Sequence, residues 1–302
     1  MRPVFAHTSR RHSVAAALIR LDAATVLLQW ATGGLFFLWV TTRRRQVGIG
    51  YGWLLRGVYA AIAFGALAAG GLVRADTARD LCSVLTAAAA CTALAVSIVR
   101  RKAGVAGERA RRERRHDRVA AMAGGIERRD DAPEETAVEF PPALDLVAPL
   151  VGAVGLIAAA VADGGPHPLA IARTLAGAAF LGAVSDAMLL GHWYLVQPGL
   201  GRAPLNQLVN AVAITWPVEV ATLLWPTGMA QVLDGTVDDK WQGTLGWFWV
   251  ACAVTSIALT FVTKAALRER AYSAVMAATG LLYLAILTAF GTDLVARAVL
   301  AR

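Results

Sequence analysis

Long apolar runs separated by short charged stretches set the pattern of this chain. The runs cover about 23–42, 53–73, 81–99, 143–162, 169–197, 205–230, 243–264 and 271–295. A helix needs about 20 apolar residues to cross the hydrocarbon core of a bilayer. The runs are rich in Ala, Leu and Val, are too long for strands, and lack the alternation of a β-barrel strand. Backbone groups in lipid must be satisfied within their own segment, which again selects helix. The pattern predicts an all-α fold, a polytopic transmembrane helical bundle of about eight helices.

Composition agrees. Of 302 residues 57% are hydrophobic and only 17% charged, against roughly 25% in a soluble domain. A soluble catalytic domain has no place in such a chain. The net charge of +8 is carried mainly by the loops, without the folded basic and aromatic face of nucleic-acid binding. Arg43–Arg45, Arg100–Lys102 and the group Lys264, Arg268 and Arg270 fall on one side of an eight-span chain. That side holds roughly twice the Lys and Arg of the other. The positive-inside rule then places the 100–142 loop in the cytoplasm and both termini outside, in an inner (cell) membrane. The basic tail, with Arg2, Arg10, Arg11 and Arg20, opposes this orientation. Ser9-Arg10-Arg11 is similar to a twin-arginine signal, but the apolar run behind it is short and no cleavage site follows.

The same loop divides the chain into residues 1–99, a tail and three spans; 100–142, a charged linker; and 143–302, five spans. Residues 100–129 are basic and 130–139 acidic. Clustered Arg beside a span attracts anionic lipid headgroups, an expected partner of 100–129 alongside the bilayer itself and other membrane subunits. Cys82, Cys91 and Cys252 lie in apolar runs without a C-x-x-C spacing, so neither a metal site nor a redox pair is indicated. No internal repeat is evident, and no nucleotide or hydrolase motif appears in a supporting context.

Chemistry is expected where ionisable groups enter a span, because that is costly. Asp145 and Arg173 lie near span ends, where they can reach the headgroups. Asp186 sits mid-span among small residues, and Glu219 lies deep in the sixth span between Trp216-Pro217 and Trp225-Pro226. If Asp186 and Glu219 meet, the shared site would carry protons, so these two are the candidate catalytic groups. His192 is the only histidine inside an expected span. With Tyr194 and Gln197, and with Asn206, Gln207 and Asn210 of the next helix, it outlines a cofactor-binding hairpin for a quinone or a haem. A lone His argues against bis-His haem ligation within the chain.

Three functions fit these residues. One is a membrane subunit of a redox or energy-conserving assembly, with a quinone or haem near His192. Another is a proton- or cation-coupled transporter using Asp186 and Glu219. The third is a non-catalytic structural or assembly protein whose polar groups serve helix packing.

Overall fold

A computed structural model describes residues 22–73, 75–103, 105, 113, 139–162, 167–197, 200–269 and 271–300. The basic tail and most of the 100–142 linker, with the lipid contact expected at 100–129, lie outside the described residues. The described fold is all-α. Its helices are α1 (Ala23–Thr42), α2 (Ile49–Val73), α3 (Thr77–Val99), α4 (Val147–Ala162, entered through a 3₁₀ turn at Pro142–Leu146), α5 (His167–Val196), α6 (Ala203–Leu224), the short α7 (Met229–Leu233), α8 (Thr244–Ala266) and α9 (Tyr272–Leu300). Eight of them, all but α7, are long and apolar enough to cross a membrane.

Local sequence explains the ends. Asp22 caps α1 by accepting from the Ala24 N–H at 3.2 Å, and Asp76 caps α3 through the Arg79 N–H at 3.0 Å. The sixth span is shorter than the apolar run suggested: α6 stops at Leu224 and not near 230. Pro226 disfavours helical backbone at the residue before it, and Trp225 is extended (φ −139°, ψ 152°). Hydroxyls inside the spans bond back to the preceding turn, as Thr174 does to Ala170 O (2.8 Å) and Ser256 to Cys252 O (2.9 Å).

The helices pack as two four-helix rings. In the first, α1 touches α2 and α4, and α3 bridges these two. In the second, α5 touches α6 and α9, and α8 bridges them. The linker separates three spans from five along the chain, yet in space the fourth span belongs with the first three. The rings meet chiefly where α1 lies against α5. These two helices are the most buried spans, at 72% and 78% of their central windows, whereas α2, α3, α8 and α9 are each 33% buried. Leu150, Val154, Phe261 and Leu287 are among the large apolar side chains left exposed. An apolar exterior of this kind is what lipid solvates.

Close approach at the seam depends on two glycines. A Cβ on Gly33 would lie 1.8 Å from Ala178 O, and one on Gly182 would lie 2.2 Å from the Gly33 carbonyl carbon. Small residues at a crossing let two backbones touch, which raises dispersion contact where no hydrophobic effect drives association.

Candidate functional site

The α1/α5 seam and its surroundings bury polar side chains at three depths. In the middle layer, Asp186 of α5 is fully buried. Its small neighbours on α5, Gly182 and Ser185, admit residues from the first ring. Tyr59 of α2 donates its hydroxyl to Asp186 Oδ1, and Tyr51 is a further electrostatic neighbour. No donor among the described residues reaches Oδ2. One residue away, Trp30 Nε1 donates to Ser185 Oγ at 2.8 Å. Both bonds cross between the rings.

A second group lies toward the end opposite the basic loops. Arg297 of α9 pairs with Asp293 one turn earlier, its Nε lying 3.0 and 2.8 Å from the two carboxylate oxygens. Gln29 of α1 bridges to both: its amide donates to Asp293 Oδ1 at 3.3 Å and its carbonyl accepts from Arg297 Nη2. Arg173 of α5 donates to Thr222 O (2.7 Å), a carbonyl freed at the end of α6, and to Thr227 O (2.6 Å) in the turn beyond it. Glu219 of α6 has Asp293, Arg297 and Arg173 as its charged neighbours. No donor among the described residues reaches either Glu219 oxygen.

At the basic end, Arg56 of α2 makes a two-pronged pair with Asp145, both bonds 2.7 Å long. Thr42 Oγ1 adds a third bond to Asp145 at 3.2 Å. The guanidinium stacks 4.4 Å over the Phe140 ring. Arg100 holds the Glu139 carbonyl at 3.2 Å, and Arg45 pairs with the Glu139 side chain. The last residues of the linker are therefore tied against α1, α2 and α3.

Asp145 and Arg173 consequently do not reach for the headgroups. Both are buried, at 3% and 1% exposure, because each finds its partners on neighbouring helices. Asp186 and Glu219 have separate surroundings. On a helix rising about 1.5 Å per residue, Asp186 lies roughly 15 Å from the basic end of α5, and Glu219 roughly 24 Å from that of α6. The offset sends Glu219 to Asp293 and leaves Asp186 with Tyr59.

The hairpin residues also separate. His192 is exposed and meets Tyr283 of α9, Nδ1 to hydroxyl 3.1 Å. Tyr194 points the other way and donates to Gly201 O at 2.6 Å, pinning the α5–α6 turn. Gln197 accepts from Trp193 Nε1 (3.1 Å) and the Gly48 N–H (3.3 Å), joining α5 to the α1–α2 loop. Asn206, Gln207 and Asn210 share one open cleft with Val40 and Arg44 of the α1 end, and His192 is not among its lining residues.

Gln29, Tyr59, Asp293 and Arg297 belong to these buried groups and escaped the sequence reading. Asp293 and Arg297 did carry a signal, an acid and a base at i,i+4 in an apolar run. Tyr59 carried none, since 127 residues separate it from Asp186.

Compared with known proteins, the chain matches no family model, no curated protein and no solved structure. Fold and buried groups define its class: a multi-pass integral membrane protein made of two four-helix rings.

Proposed function

We propose that the protein is a proton-coupled membrane transporter whose two rings shift against each other as Asp186 and the Glu219–Asp293 pair gain and lose protons. One observation carries the reading: two fully buried carboxyls, Asp186 and Glu219, each have an oxygen that no donor among the described residues reaches. An anion cannot stay in such a place unpaired, so each group needs a proton or a cation when the lipid-facing bundle is closed. Asp186 bonds Tyr59 across the seam, and Asp293 bonds Gln29 across it. Protonation at either depth therefore changes contacts between the rings, which is how charge is coupled to rocking of two halves around a central site. The basic loops put the 100–142 linker on the cytoplasmic side in this reading.

The test is proton flux into vesicles containing the purified protein, followed with an internal pH dye under an imposed gradient. Wild type should pass protons, and Asp186→Asn and Glu219→Gln should each lose the flux while remaining folded. Unchanged flux in both variants overturns the proposal.

A second reading, a redox-assembly subunit with a quinone at His192, is favoured by the exposed imidazole–phenol pair with Tyr283, a polar contact in a lipid-facing position. A haem there would require an axial ligand from another chain. Visible spectra and quinone content of the purified protein decide it; absence of both removes it.

A further inference from the structure

The open cleft beside the α6 start differs from the rest of the membrane face. It is a shallow groove of about 590 Å³ between α6 and the end of α1, open along one side. Its lining is graded. Arg44, Asn206 and Gln207 stand near the basic end. Asn210 stands one turn deeper, and Val40 and Ile214 carry the apolar part. Ile214 is 68% exposed.

The amides carry the argument. Asn210 lies seven residues into α6, roughly 10 Å along the axis from Ala203. An amide that deep, facing outward, costs free energy unless something hydrogen-bonds it. None of Asn206, Gln207 and Asn210 bonds a protein side chain among the described residues, whereas Gln29, Ser185 and Ser256 in other spans each do. The polar part of the lining offers amide N–H donors and one guanidinium, and no carboxylate. Such a donor set suits phosphate oxygens. The apolar part runs on toward the bilayer interior, where acyl chains lie.

We infer that this cleft holds the headgroup of an anionic phospholipid, its phosphate against Arg44 and the three amides and one acyl chain along Val40 and Ile214. The lipid fills the gap between the two rings on the basic side, where α1 and α6 barely touch. The inference is independent of proton transport and concerns a different place from the 100–129 linker.

The test uses full-length protein in an uncharged detergent, titrated with phosphatidylglycerol or phosphatidylcholine and read by native mass spectrometry. Wild type should retain one phosphatidylglycerol in preference to phosphatidylcholine. Arg44→Gln should bind it about fivefold more weakly, the share of one basic residue at an anionic surface. Asn210→Leu should weaken it too, and Arg44→Lys should largely restore it. Arg43→Gln is the control, since Arg43 stacks on Trp39 at 4.6 Å and does not line the cleft; its retention should equal wild type. Equal retention of both lipids, or wild-type retention by an Arg44→Gln/Asn210→Leu double variant, overturns the site. Displacement of the lipid by inorganic phosphate in excess overturns the lipid assignment in favour of a soluble anion.

Discussion

Tyr59 donates to Asp186 from the opposite ring, so a fully buried acid of α5 is held by a phenol from the other half of the molecule. Removing the donor leaves a buried carboxyl with no protein donor among the described residues. Tyr59→Phe should destabilise the protein by about 1–3 kcal/mol, read as a lower unfolding midpoint in micelles. Asp186→Asn keeps an acceptor oxygen for Tyr59 and should unfold close to wild type. An Asn variant less stable than Tyr59→Phe would show that the carboxyl makes some further contact.

Gly33 and Gly182 leave no space for a side chain at the seam. Gly33→Ala places a methyl group 1.8 Å from Ala178 O, and overpacking of this kind costs about 1–3 kcal/mol or more. The rings should separate, giving a lower yield of folded protein and a broader size-exclusion peak. Gly57→Ala, whose added Cβ meets nothing within 4 Å, should be neutral or slightly stabilising, as Ala favours helix by about 1 kcal/mol.

Arg56 and Asp145 stabilise each other mainly by not being left alone. Deleting one partner of a buried pair costs about 3–5 kcal/mol, because the other charge stays behind. Arg56→Leu and Asp145→Leu should each lower thermal stability strongly, and the double variant should recover much of the loss. A double variant as unstable as the sum of the singles would argue against the pair as the source.

Asp239, in the loop between α7 and α8, ties down the start of α8. Burial pushes its carboxyl up. Hydrogen bonds from the backbone N–H groups of Gly243, Trp241, Gly246 and Leu245, 2.8–3.3 Å long, outweigh burial and hold it below the ordinary carboxylate range. A folded-state value below the unfolded one means stability that is present above the unfolded value, about 3.9 for Asp. That stability is lost as pH falls through the lower folded value. Amide protection at those four residues should therefore hold from neutral pH to about pH 4 and collapse below it. Asp239→Ala should show low protection throughout, measured by hydrogen exchange corrected for intrinsic rates.

Eight spans, their rough limits and their helical state were legible along the chain, because lipid imposes length, apolarity and internal hydrogen bonding on each segment separately. The cost of a buried charge also marked Asp186 and Glu219 as unusual from their neighbours alone. The end of α6 was misplaced because its apolar run continues past Pro226, where the backbone rule outweighs hydropathy.

Partnership was a different matter. Asp186 meets Tyr59, Glu219 meets Asp293, Asp145 meets Arg56 and Gln29 meets Arg297, and each pair lies on different helices. Sequence spacing carries no information about which helices touch or how far each slides along its neighbour. Short loops suggested that His192 would join Asn206 and Asn210, but helix rotation turns His192 toward α9 and the amides toward α1. The chain by itself determined that the molecule lives in a membrane and which groups are expensive there. Only the packing of α1 against α5, allowed by two glycines, decided which groups share a site.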